Sequence, residues 1–320
     1  MDRFEAMALL VEVVDGGSLT AASRRRRVPL PTISRRLSDL EARLGVQLLI
    51  RTTRKVTLTD IGRDFVVASR RILEQVAEAE RTAAGEYAAP KGELSVAAPI
   101  QFGRLHVLPI VTAFLAQYPQ INVRLGLSDR NVHLVEDHVD MAVRIGVLPD
   151  SSLMATRVGA VRMVCCASPA FLAACGEPKA LEDLAGLPCV TFDFAGPARE
   201  WLFRDPEGAR DRLIPVRSRL SVSTAEAAID AAAAGAGITR LVSYQAAGPI
   251  AEGRLRPILQ SFAPEPMPVS VLHASSALMP SRMRVFLDFA VPRLRAALAA
   301  SAVQGGVQGE VAGSAEARIV

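Results

Sequence analysis

The sequence predicts an α/β chain in two parts: a small, basic, mostly helical head that runs into one long helix, then a larger body of alternating strands and helices. Three observations carry this. Between residues 18 and 57 ten basic side chains stand against only Asp39 and Glu41, a net of +8, although the whole 320-residue chain sums to +4. The apolar residues Ile61, Phe65, Ile72 and Val76 then recur at helical spacing. From Glu93 onward β-branched runs alternate with helical ones, the rhythm of βαβ units built on a parallel sheet. The length allows two or three cores, and a composition half hydrophobic and 22% charged excludes a wholly disordered chain.

In the head, Phe4, Met7, Val11 and Val14 mark a first helix that Asp15-Gly16-Gly17 interrupts. Ser18 caps a second, short helix reaching about Arg26. Pro31 suits the first turn of a third, in which Ile33, Leu37, Leu40 and Leu44 fall within about 60° of one another at 100° per residue. That narrow face is the buried one, and Gly45 supplies the stop. The opposite face near the N-terminus carries Pro31, Thr32, Ser34, Arg35 and Ser38, small or hydroxyl groups that permit close approach and an arginine that reaches a base edge or a phosphate. Two short helices joined by a tight turn form a helix-turn-helix, which places its second helix in the major groove of DNA. The concentrated positive charge is the footprint expected of a module that binds a polyanion. Arg51, Thr53, Arg54 and Lys55 follow in a β-prone stretch ending at Val56, a hairpin wing beside the flanking phosphates.

Thr57-Leu58-Thr59-Asp60 reads as a helix cap before a long helix reaching about Tyr87. With no domain of its own, its stripe of Ile61, Phe65, Ile72 and Val76 is expected to pair with the same helix of a second protomer. Paired heads would read two half-sites about one turn apart.

Ala88-Ala89-Pro90-Lys91-Gly92 breaks the helix and opens the body. Strands are expected over Leu94–Ala98, Ile121–Leu127 and Met141–Ile145, with helical runs at Leu105–Gln117 and Val132–His138. A second set runs from about Val161 through Ser221–Thr224 and a helix at Ala225–Ala234 to Ile258. Strand-like Val269–His273 and a helix at Ser281–Leu298 close the body, and the aperiodic tail from Ser301 is expected to be disordered. The resulting domains are 1–58, 59–89, 90–300 and 301–320.

The order and spacing of GSLTAAS at 17–23, SRRLSDLEARLGVQLLIR at 34–51, RTTRKVTLTDIGRDF at 51–65, LSVAAPIQFGRLHVLPIVTAFLAQYP at 94–119, VDMAVRIGVLPDSSL at 139–153 and VCCASPAFLA at 164–173 resemble the LysR-type transcriptional regulators over residues 1 to about 298. The resemblance implies a winged helix-turn-helix, a linker helix that pairs protomers, and an effector domain like a periplasmic solute-binding protein, two α/β subdomains with a cleft between them. It further implies a dimer of dimers, promoter DNA and a small-molecule effector as partners, and RNA polymerase as a further candidate partner. One departure stands out: Arg26 and Arg27 occupy the end of the second helix, where the family has an apolar residue and then glycine. Either Arg27 adopts a left-handed conformation or the turn shifts by a residue. Ile50 stands where a polar residue is common and is left out of the contacts.

The leading reading is therefore a regulator and not an enzyme, with Ser34 and Arg35 at base edges, Thr32 supporting them, and Arg36, Arg51, Thr53, Arg54 and Lys55 on phosphates. The resemblance places the cleft at strand-to-helix junctions, where open α/β sheets also bind ligands. These are Pro99, Ile100, Gln101 and Phe102 after the first strand, and Ser223 and Thr224 before the helix at 225. Two helix N-termini facing one cleft favour an anion, so an organic carboxylate is expected. Phe102 and Phe194 suit an aromatic body or simple core, and Arg144 a ligand charge or a structural ion pair. No cofactor or metal is expected: His133 and His138 are about 140° apart on a helix and cannot share an ion.

Two alternatives compete. A redox-responsive regulator would use Cys165 and Cys166, although four cysteines in this chain fit reduced core thiols. A solute-binding protein without regulatory role would need a signal peptide, and Met1-Asp2-Arg3-Phe4-Glu5 does not open one. Pro266–Ser281 is uncharged but too short and too rich in proline to span a bilayer, so a cytoplasmic protein without membrane contact is expected. No HExxH, GxSxG or Walker pattern supplies catalytic chemistry.

Overall fold

The structure, a computed structural model, describes residues 2–51, 56–83, 89–130, 134, 137–148, 153–192, 200–205, 210–274 and 279–304. The chain forms two compact units, Met1–Gly92 and Glu93–Val320.

In the first unit helices α1 (Arg3–Asp15), α2 (Leu19–Arg26) and α3 (Leu30–Leu44) precede a two-stranded antiparallel wing, β1 (Leu49–Arg51) and β2 (Val56–Leu58), and the long α4 (Asp60–Ala83). Ser18 caps α2 by accepting from the Ala21 N–H at 3.1 Å. Arg27 is left-handed, φ 53° and ψ 39°, so the turn keeps its length and the arginine takes the conformation a glycine would adopt freely. Ile33, Leu37 and Leu40 are buried as the spacing predicts, whereas Leu44 is 39% exposed at the last turn. The buried face of α1 is Ala6, Leu9, Leu10 and Val13, not the stripe of Phe4, Met7, Val11 and Val14. The helix is apolar almost all round, so periodicity alone does not fix which face turns inward. Glu41 ties α3 to the wing, its Oε1 accepting from the N–H groups of Leu48 and Leu49, both at 2.9 Å. Gly62 lets α4 lie directly on that wing, since a Cβ there would stand 2.1 Å from the Leu48 carbonyl oxygen.

The expected lack of any partner for α4 within its own chain is corrected. Its first half packs on α1: Val66 and Ser69 are buried, Phe65 lies partly buried against the same core, and Arg70 pairs with Asp15. At 100° per residue Gly62, Val66 and Ser69 share one arc of about 60°, and Ile61, Phe65, Ile72 and Val76 the arc beside it.

The second unit holds two sheets. In the first subdomain β3 (Gly92–Ala98) leads into a continuous helical segment: α5 (Ile100–Phe102), a wider π turn (Gly103–Val107) and α6 (Leu108–Gln117). Strands β4 (Ile121–Leu127), β5 (Met141–Ile145) and β6 (Leu153–Val161) follow. The second subdomain comprises β7 (Met163–Ala167), α7 (Pro169–Cys175), β8 (Pro188–Phe192), a hairpin of β9 (Glu200–Arg204) and β10 (Asp211–Pro215), β11 (Arg217–Val222), α8 (Ala225–Ala233), β12 (Ile238–Val242), α9 (Ser243–Ala251) and β13 (Arg256–Ile258). The chain then returns to the first sheet with β14 (Met267–Ala274) and covers it with α10 (Ser281–Gln304).

The strand orders are β4-β3-β5-β14-β6 and β11-β8-β12-β7-β13. Both sheets are mixed. β3 runs parallel to β5 and β8 parallel to β11 and β12, but β14 is antiparallel to both neighbours, as is β7. Parallel neighbours need a crossover, usually a helix, whereas β6 passes into β7 through Arg162 alone. At that crossing the Ser243 N–H donates to the Arg162 carbonyl at 2.8 Å and the Arg162 N–H to Ser243 Oγ at 3.3 Å. Cys165 and Cys166, adjacent on β7, point into different cores on the two faces of the second sheet. The β9–β10 hairpin, which the sequence reading passes over, turns Trp201, Phe203 and Ile214 inward, and Arg240 lies 5.7 Å over the Trp201 ring. Of the helical run at Val132–His138 only 134 and 137–138 belong to the described residues, and the tail beyond 304 lies outside them.

Candidate nucleic-acid interface and ligand cleft

The first-unit site is built on the N-terminal half of α3. Pro31, Arg35 and Ser38 are exposed while Thr32 and Ser34 are half-buried beside them. The turn that presents them is tied internally, with the Ser23 hydroxyl donating to the Val28 carbonyl at 2.6 Å and the Thr32 N–H to the Pro29 carbonyl at 2.9 Å. The arginines divide into two kinds. Arg26 grips Glu12 with two bonds, 2.6 and 3.2 Å, and Arg36 meets Glu5 at 2.9 Å. Arg24, Arg25, Arg27 and Arg35 are exposed, and among the described residues no ion pair holds them. Sequence reasoning missed Glu5 and Glu12, which lie on α1 and meet α3 and α2 only through tertiary packing. Arg51 ends the wing strand β1; Thr53, Arg54 and Lys55 lie outside the described residues.

The stripe expected to pair protomers is graded. Ile61 is 55% exposed, and Phe65, Ile72 and Val76 are half-buried in their own chain.

The second-unit site gathers at strand C-termini. Pro99 caps the helical segment after β3. From the pairing of Ala97 with Ala142, Arg144 stands level with Pro99 on the neighbouring strand, half-buried near the end of β5. Thr224 caps α8, its hydroxyl accepting from the Ala227 N–H at 3.3 Å, and exposed Ser223 precedes it. Tyr244, at the start of α9, bridges the subdomains: its ring stands edge-on to Phe102 at 5.3 Å and to His106 at 5.7 Å. Phe102 is therefore core, fully buried and also 4.8 Å from His106. Phe194 lies outside the described residues.

Charge at these strand ends differs from the expected pair of open helix N-termini. The Ile100 N–H already donates to Asp129 Oδ1 at 2.9 Å. Burial pushes the Tyr244 hydroxyl well above its ordinary pKa, and the carboxylates of Asp129 and Glu226 raise it further. Gln101 is buried, and among the described residues neither its Oε1 nor the buried Nε2 of His106 has a hydrogen-bond partner. Burial lowers the His106 pKa from 6.5, which favours the neutral ring. Gln101 Oε1 and the carboxylates of Asp129 and Glu226 are acceptors, so these strand ends are richer in acceptors than in donors. Asp129, Tyr244 and His106 escape a sequence reading because they sit on a loop, a second subdomain and a mid-helix position that only the fold brings together.

The three buried cysteines carry little reactivity here. Burial raises Cys166 and Cys189 to about 12 and Cys165 higher still; Cys175 is exposed. A thiol held protonated is a poor nucleophile. Among the described residues no helix is long and apolar enough to cross a membrane.

Comparison with known proteins accords with this geometry. Residues 4–63 match the bacterial regulatory helix-turn-helix of the lysR family, and residues 88–295 the LysR substrate binding domain. An HTH-type transcriptional repressor of Pseudomonas aeruginosa is 35% identical over 291 residues, 90% of this chain and 91% of that protein. The transcriptional regulator CrgA of Neisseria meningitidis is 34% identical over 292 residues, 91% of this chain and 96% of CrgA. The solved CrgA structure superposes with a TM-score of 0.58 at 33% identity, covering 91% of this chain and 98% of its own. That of the full-length virulence activator AphB of Vibrio cholerae gives 0.58 at 27%, covering 91% and 99%. A helix-turn-helix with an outward arginine, followed by two α/β subdomains meeting at strand ends, thus matches the family along nearly its whole length, and the chain is a DNA-binding member of the LysR-type transcriptional regulators.

Proposed function

We propose that the protein acts in the cytoplasm as a dimer of dimers that binds promoter DNA and responds to a small organic acid, without catalysis of its own. The observation that carries the DNA reading is Arg35, exposed and without an ion pair among the described residues, on the face of α3 that leads into the groove. Arg35 and Ser34 read bases, Thr32 supports them, and Arg51, Thr53, Arg54 and Lys55 hold phosphates. Arg36 joins those phosphate contacts only by giving up Glu5. The stripe of Ile61, Phe65, Ile72 and Val76 pairs protomers, and RNA polymerase meets the complex at the promoter.

The effector occupies the cleft between Pro99, Ile100 and Gln101 on one side and Ser223 and Thr224 on the other, with Arg144 near its carboxylate. Because Asp129 fills the helix end at Ile100, the anion sits instead against the first-turn N–H groups of Ala225 and Glu226, which have no intrahelical acceptor. Gln101, Asp129 and Glu226 then favour an acid that also bears a hydroxyl or ammonium donor. Phe102 backs this cleft from the core, and Phe194 completes its apolar side. Thermal-shift screening of paired acids, with and without such a donor, tests this. A ligand at about 100 times its Kd stabilises by roughly 2.7 kcal/mol, and Asp129→Asn, which keeps the cap on Ile100, should weaken the donor-bearing acids alone. Equal shifts from both members of each pair would reject the donor requirement.

A further inference from the structure

Of the four consecutive arginines at the end of α2 and its C-cap, only Arg26 turns inward, to Glu12. Arg24, Arg25 and Arg27 are exposed, and among the described residues no carboxylate pairs with them. Two physical facts make this group more than a solvated face. Like charges crowded within one helical turn repel, and the helix C-terminus works against that repulsion. Arg27 also holds a left-handed backbone, φ 53°, a conformation that disfavours any residue with a Cβ and that glycine adopts freely. Strain kept where a simple substitution would remove it points to a use for the side chain. The site of that use follows from the turn: the Val28 N–H donates to the Ser23 carbonyl at 3.2 Å and the Ser23 hydroxyl donates to the Val28 carbonyl, tying the backbone that carries the three arginines immediately ahead of α3.

Resting on the helix-turn-helix reading above, we propose that Arg24, Arg25 and Arg27 form a phosphate clamp on the DNA backbone next to the groove that α3 enters. The partner is the sugar-phosphate backbone of duplex DNA, bound irrespective of sequence. These positioning residues extend the contact surface beyond α3 and the wing.

The test measures Kd against salt for the full-length protein on two fluorescent duplexes, one of random sequence and one selected by the protein from a random pool. Each phosphate contact contributes about 0.9 to the slope of log K against log salt, so Arg24→Ala with Arg25→Ala should flatten it by about 1.8 on both duplexes. Arg27→Gly should flatten it by about 0.9, and Arg27→Lys should restore most of that loss. Slopes equal to wild type in all variants would overturn the clamp, as would a loss confined to the selected duplex, which marks base reading. Wild-type protein with no salt-dependent binding to either duplex would instead remove the DNA reading itself. Unchanged circular dichroism and melting of the double variant exclude misfolding as the cause of any loss.

Discussion

At the scale of single residues the structure separates side chains that the sequence leaves equivalent. Arg35 and Arg36 are neighbours of one type, yet Arg36 is engaged by Glu5 and Arg35 is exposed. Arg35→Ala should cost about 1–3 kcal/mol of binding to a selected operator and little on a scrambled duplex. Arg36→Ala should cost less on the operator than Arg35→Ala; the reverse order in a binding titration would exchange their roles. Arg27→Gly removes a left-handed Cβ worth about 1–2 kcal/mol and should slow hydrogen exchange in α1–α3 accordingly, whatever it does to DNA affinity. The cysteines differ as sharply. Alkylation of native protein at pH 8 should modify Cys175 alone, because burial holds Cys166 and Cys189 at about 12; rapid labelling of Cys165 or Cys166, read by peptide mass, would reopen a redox role.

Among the elements, α4 departs furthest from its sequence expectation. Its apolar residues form two adjoining arcs, one spent on α1 and the wing, the other only half-covered within its own chain. A charge at Phe65 would therefore disturb the head as well as any dimer. Ile72→Glu with Val76→Glu lies beyond most of the α1 contact and should yield monomers in sedimentation while the head keeps its circular dichroism. Dimers persisting in that double variant would place the interface elsewhere. Ser69, fully buried with its hydroxyl unpartnered among the described residues, marks the seam: Ser69→Ala should raise the melting temperature, since an unsatisfied buried hydroxyl costs about 1–3 kcal/mol.

For the whole molecule, the subdomains of the second unit meet through two chain crossings and the Phe102–His106–Tyr244 contact, so His106 links pH to stability. Burial lowers its folded-state pKa below 6.5. Well above 6.5 the ring is neutral whether folded or unfolded. As pH falls, the unfolded chain takes up the proton first, and stability declines until the folded-state pKa is passed. Urea titrations between pH 7.5 and 5 should show this decline in wild type and a shallower one in His106→Leu; parallel curves would mean that the ring is free to charge in the fold.

The sequence by itself determined the division into a basic head, a long helix and an α/β body, because local periodicity, caps and charge density survive in a one-dimensional reading. It determined which face of α3 is buried, since a narrow stripe of Ile33, Leu37 and Leu40 leaves no other choice, and it anticipated Arg27's left-handed turn as one of two outcomes. It did not determine the buried face of α1, apolar all round, nor the mixed order of the sheets, which depends on where the chain crosses between subdomains. Only the tertiary structure decided the pairs Glu12–Arg26, Glu5–Arg36 and Ile100–Asp129, and the meeting of Tyr244 with His106. These contacts join residues far apart in sequence. Their electrostatics depend on distance and burial, quantities that exist only once the chain has folded.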